Sequence, residues 1–109
     1  MTAHTLDRLA ALIASRRQAA SDKSYTRQLL DAGPERCAKK FGEEAVEAVI
    51  AGVGKDLEAL KGEAADVLYH LIVLLESRGV SLADVCATLE KRMAQSGLDE
   101  KAARGDPKP

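Results

Sequence analysis

The sequence predicts an all-α fold, an antiparallel bundle of four to five helices in a single domain. Three observations carry this expectation. Leu, Ile, Val and Ala recur every three or four residues, and the alternation expected of strands appears nowhere. Glycine and proline fall at places that suit helix stops and starts. Aromatic residues make up only 3% of a chain that is 46% hydrophobic and 30% charged, the profile of a soluble helical bundle. At 109 residues the chain can bury one modest core.

The elements follow in order. Residues 5–20 carry Leu6, Leu9, Ile13 and Ala20 at helical spacing, with Thr5 as the expected N-cap. The segment SDKSYT (21–26) is polar and turn-like, and Thr26 is placed to cap a short helix that stops at Gly33. Pro34 suits the first position of the next helix, which should run to about Ala51 and bury Cys37, Phe41, Ala45 and Val49. Gly52 and Gly54 end it. A third long helix is expected from about Asp56 to Arg78, with Gly79 as its stop. Gly62 inside it costs about 1 kcal/mol relative to Ala and points to close backbone packing or a break. Residues 67–75, VLYHLIVLL, are apolar nearly all round, so this helix should be central or lie between subunits. Ser81 caps a last helix to about residue 95, with Asp84 completing part of a capping box. The domain is expected over 1–96, with a flexible tail over 97–109.

Composition excludes several classes. A net charge of −1 gives no bulk basic charge for nucleic acid. Cys37 and Cys86 match no metal or redox spacing and read as small hydrophobes on apolar helical stretches. The N-terminus has no long apolar run of a signal peptide, and HLIVLL is about a third of a membrane span, so a cytoplasmic protein without a membrane partner is expected.

The chemistry lies in KKFGEEAVEAVIAG (39–52) and GEAADVLYHLIVLL (62–75). Glu44 and Glu47 are three residues apart, as are Glu63 and Asp66, so each pair shares a helix face. Antiparallel packing brings the pairs together as four carboxylates. Like charges at one site repel unless neutralised, and a hard divalent cation, Mg²⁺ with Mn²⁺ as the alternative, prefers such oxygens. The competing reading is a solvated acidic face balanced by Lys39, Lys40, Lys55 and Lys61. His70, four residues after Asp66, falls on the same face as a support for the site, a substrate donor, or simply a core or interface histidine. Glu-x-x-His pairs are missing from both helices, which argues against a di-iron bundle.

An ExxE run on one helix and ExxD on the next resembles the MazG-like superfamily of all-α nucleoside triphosphate pyrophosphohydrolases. Within it, SYTRQLL (24–30), the GPER–AKK–GEEAVE run (33–47), GEAADVLYHLIVLL (62–75) and RGVSLADV (78–85) are similar to the phosphoribosyl-ATP pyrophosphohydrolase family, over about residues 5–95. The resemblance implies hydrolysis of 1-(5-phosphoribosyl)-ATP at its α–β phosphoanhydride, giving 1-(5-phosphoribosyl)-AMP and pyrophosphate. This is the second step of histidine biosynthesis, dependent on Mg²⁺ and performed by a homodimer. It implies Glu44, Glu47, Glu63 and Asp66 as metal ligands and Glu43 as a supporting acid. Many relatives carry a fused cyclohydrolase domain; this chain has no room for one, so a separate phosphoribosyl-AMP cyclohydrolase is the expected functional partner.

Phosphoanhydride hydrolysis asks for charge neutralisation, an oriented water and a stabilised leaving group. Glu43 or Glu47 is placed to accept the water's proton beside Glu44. Phosphate needs cations, for which Lys40 comes first, followed by Lys23, Arg27 and Lys39. Ser24, Tyr25 and Thr26 offer hydroxyls at a helix N-terminus, although capping and packing explain them equally until the resemblance is counted. Arg16, Arg17 and Arg92 read as solvated surface charges. The rivals are a house-cleaning pyrophosphatase for noncanonical nucleoside triphosphates and a metal-free helical dimerisation module.

Overall fold

The structure, a computed structural model, describes residues 2–95, so the expected tail at 97–109 lies outside the described residues. Five α-helices and no strand are present among them: α1 Thr2–Ser15, α2 Tyr25–Ala32, α3 Pro34–Gly52, α4 Leu57–Ser77 and α5 Leu82–Met93. Helix α1 begins earlier than expected. Nothing at 2–4 breaks a helix, so Thr5 lies inside the first turns and is no cap. The helix ends at Ser15 and gives way to a 3-10 turn over Arg16–Gln18, which leaves Ala20 exposed outside it.

A second 3-10 turn, Ser21–Lys23, leads into α2, whose N-cap is Ser24 and not Thr26. Ser24 has extended backbone angles, and its Oγ accepts from the Arg27 amide at 3.1 Å. Thr26 is buried instead and its hydroxyl pairs with that of Tyr69. Gly33, at φ +99°, joins α2 to α3, a conformation L side chains rarely adopt. Pro34 follows at the first position of α3. Asp56 caps α4 by accepting from the amides of Glu58 and Ala59. Helix α4 runs unbroken through Gly62, where an added Cβ would meet nothing within 4 Å, so this glycine marks neither a break nor close packing. Gly79, at φ +72°, closes α4, and a reciprocal Ser81–Asp84 capping box opens α5.

The connection over residues 53–56 folds α3 back along α4, and this hairpin is the largest packing interface of the chain. The core draws Ile13 from α1, Leu29 from α2, Cys37 from α3, and Ile72 and Val73 from α4. Cys37 donates its thiol proton to the Leu29 carbonyl at 3.2 Å. As expected, α4 is central. Two guanidinium groups tie the connecting turns down. Arg17, expected to be solvated, pairs with Glu76 at 2.6 Å and also donates to its carbonyl. Arg27 donates to the carbonyls of Arg17 and Ala19 and to Asp31.

Two other expectations about burial do not hold in the single chain. Val49 is 67% exposed, alongside Val46, Ile50 and Val53, because α3 is covered on its α2 and α4 sides only. Cys86 is exposed because α5 reaches the core through Leu82 while the rest of its length is largely uncovered.

Candidate active site

The hairpin determines which acids meet. Glu44 lies about two turns before the α3–α4 connection, and Glu63 and Asp66 about two turns after it. Antiparallel packing therefore brings the three to one level. Each offers a carboxylate oxygen, and these oxygens lie within 4.8 Å of one another. Glu47 stands outside that group, one turn nearer the connection, but close enough for its charge to act on Glu63.

Glu63 is the strained member. Its Oε2 is buried and has no hydrogen-bond partner among the described residues. Desolvation, and then the charges of Asp66, Glu47 and Glu44, push its carboxyl above the ordinary range. The lysines expected to balance these acids are committed elsewhere or lie outside ion-pair distance. Lys40 pairs with Glu43 at 3.2 Å and Lys61 with Glu58 at 2.7 Å. No ion pair to Glu44, Glu63 or Asp66 occurs among the described residues. Three converging carboxylates with a buried, unpartnered oxygen are a poor solvated face. They are a donor set that fits a hard divalent cation.

The charge of Glu44 reaches both Lys40 and His70, and Tyr25 lies edge-on to His70. Lys40 hydrogen-bonds Glu43, which holds the ammonium pKa up, with Tyr25 and Glu44 adding to the effect. The same contact holds the Glu43 carboxyl below its ordinary range. His70 is buried, with Tyr69 edge-on at 4.9 Å and Tyr25 edge-on at 6.3 Å between ring centroids. Burial pushes its pKa down; Lys40 adds to this, while Glu44, Asp66 and Glu43 oppose it.

The remaining expected contacts are engaged in structure. Ser24 caps α2, Thr26 bonds Tyr69, and Arg27 clasps the turns before α2. Lys23 lies exposed on the preceding 3-10 turn. Tyr69 was not singled out from the sequence, yet it links Thr26 to the His70 ring. Its only sequence signal was adjacency to His70, because the pairing with Thr26 is long-range. The marked concavities lie elsewhere, one of about 280 Å³ where α1 meets α4 and α5, the other on α1 alone. The first is lined mainly by Ala and other aliphatic side chains, and neither includes Glu44, Glu63 or Asp66.

Comparison with known proteins bears on the same hairpin. Residues 6–93 match the family described as phosphoribosyl-ATP pyrophosphohydrolase. The chain is 61% identical over 104 residues to a phosphoribosyl-ATP pyrophosphatase of Methylobacterium radiotolerans, covering 95% of this chain and 97% of that one. It is 57% identical over 100 residues to one from Cereibacter sphaeroides, covering 92% and 97%. A third, from Agrobacterium fabrum, is 53% identical over 107 residues, covering 98% and 100%. No helix among the described residues is long and apolar enough to cross a membrane.

Proposed function

The chain belongs to the phosphoribosyl-ATP pyrophosphohydrolase family, and from that premise we propose how its own residues carry the reaction. It is a hydrolase of histidine biosynthesis that cleaves the α–β phosphoanhydride of phosphoribosyl-ATP to phosphoribosyl-AMP and pyrophosphate. The names of its relatives do not favour the rival substrate class of noncanonical nucleoside triphosphates.

The observation that carries the site is the convergence of Glu44, Glu63 and Asp66 with Oε2 of Glu63 unpartnered. These three would hold Mg²⁺, or Mn²⁺, and Glu47 would join them by a side-chain rotation from its exposed position on α3. When bound, the ion supplies positive charge to phosphate oxygens and lowers the pKa of a coordinated water. Lys40 presents a second positive charge beside the acids, held protonated by Glu43. Glu43 or Glu47 would take the proton from the attacking water. Tyr25, half exposed and edge-on to His70, borders the space where the nucleotide would lie. Arg27, Ser24 and Thr26 would act by fixing the segment that carries Tyr25.

A homodimer belongs to the same proposal. Val46, Val49 and Ile50 on α3, Val53 at its C-cap and Leu57 at the start of α4 are all exposed, and exposed apolar surface of this kind marks subunit contacts. The cytoplasm fits a soluble, highly charged nucleotide substrate, and a separate phosphoribosyl-AMP cyclohydrolase would consume the product.

The test is pyrophosphate release from phosphoribosyl-ATP, with ATP and dUTP in parallel, with and without Mg²⁺. Mg²⁺-dependent turnover of phosphoribosyl-ATP that E63Q loses while remaining helical is expected. Full activity of E63Q would remove the acids from the mechanism.

A further inference from the structure

Two side-chain atoms are buried without a hydrogen-bond partner among the described residues, Oε2 of Glu63 and Nδ1 of His70. Both belong to α4, and Asp66 lies between them at helical spacing, so all three share one face. Buried polar atoms nearly always have partners in the functional state of a protein. A cation accounts for Glu63. It leaves Nδ1 of His70 without a partner.

The His70 ring is only 7% exposed and is pinned by Tyr69 (interplanar angle 81°) and Tyr25 (85°). Tyr69 is itself fixed by its bond to Thr26. The charged groups whose fields reach the ring are Glu44, Lys40, Asp66 and Glu43, and Asp66 lies one turn before it on the same face of α4. Burial favours the neutral imidazole, which has one N–H and one free lone pair. Carboxylates only accept hydrogen bonds, so a water resting on them has a hydrogen left to donate.

We propose that His70 is a positioning residue whose Nδ1 accepts a hydrogen bond from a water that also donates to Glu44 or Asp66, fixing that water at the edge of the cation site. This rests on the metal-site reading above. With both hydrogens donated, such a water would keep its oxygen lone pairs free for a cation held by Glu44, Glu63 and Asp66. Partners behind metal ligands of this kind typically change metal affinity by about 10–100-fold when removed.

The variants separate the two ring nitrogens. Asn places a polar atom near the position of Nδ1, Gln places one near Nε2, and Phe keeps the ring volume without either. Titration calorimetry of Mg²⁺ into the full, substrate-free chain is the primary readout, with kcat and KM alongside. H70N should bind Mg²⁺ as the wild type does, whereas H70Q and H70F should bind about 10-fold more weakly. At saturating Mg²⁺ the loss should fall on kcat and leave KM for phosphoribosyl-ATP unchanged. Metal-free melting temperatures of H70N and H70Q should match, which a purely structural histidine would not combine with different Mg²⁺ affinities. Should H70F fail to fold, the contrast between H70N and H70Q decides. Wild-type Mg²⁺ affinity in H70Q overturns the proposal. If E63Q abolishes Mg²⁺ binding while H70Q leaves it intact, only the His70 role falls. If wild type and E63Q bind Mg²⁺ equally, the metal site falls with it.

Discussion

Glu63 is held under opposing demands, since its carboxylate is half-buried beside Asp66, Glu47 and Glu44 yet would have to ionise to bind the proposed cation. The sign of its effect on stability follows from linkage. Its folded pKa lies above its unfolded value, so between the two the native state binds more protons than the unfolded chain. In that window the metal-free protein loses stability as pH rises, and above the raised pKa the loss is complete. E63Q removes the slope. In chelator, its melting temperature relative to wild type should climb through that window and then level off, and Mg²⁺ should raise the wild-type melting temperature but not that of E63Q. Parallel pH curves for the two proteins would show that Glu63 does not carry the strain. At the residue scale the sequence reaches only as far as one helix. Glu63 and Asp66 share a face of α4 by their spacing, whereas Thr26 and Arg27 have partners at Tyr69, Arg17 and Ala19 that no local pattern announces.

At the scale of elements, two glycines make opposite predictions. Gly33 has φ +99° and ψ 171° where α2 becomes α3, a region that strains any side chain by about 1–3 kcal/mol. Gly62 sits in the interior of α4 on an exposed face, with open space around its Cβ position. G33A should therefore lower stability by about 1–3 kcal/mol, and G62A should raise it by about 1 kcal/mol. Urea unfolding of the metal-free protein measures both, and a destabilising G62A would mean that another surface packs there. Helix stops were legible because Gly and Pro act through their own backbone. The N-cap of α2 was misplaced by two residues because Ser24 and Thr26 can both cap, and the hydroxyl of Tyr69 occupies one of them.

The whole molecule leaves apolar surface uncovered. Among the described residues five hydrophobic side chains are buried, three of them fully, while Val46, Val49, Ile50, Val53 and Leu57 are each more than half exposed, and Leu89 and Met93 add exposed apolar surface on α5. Asp at Ile50 and Val53 together would place two charges on that surface, so the double variant should sediment as a monomer while wild type sediments as a dimer. A monomeric wild type by analytical ultracentrifugation would refute the dimer. Because Glu47 lies one turn from Ile50 on α3, loss of turnover in a folded monomeric variant would further tie the active site to assembly.

By itself the sequence determined the helical class, the helix stops and which acids share a face of one helix, because each depends on residue type and on spacing along one helix. Only the tertiary structure decided which acids meet. The short connection folds α3 against α4 so that Glu44 reaches Glu63 and Asp66, while Glu47 is left outside their group. It also left Oε2 of Glu63 and Nδ1 of His70 buried without partners among the described residues, a matter of solvent exclusion between packed helices. Spacing along a chain ranks neighbours on one helix. Distance and burial across two helices depend on how their side chains interlock, and no single segment encodes that.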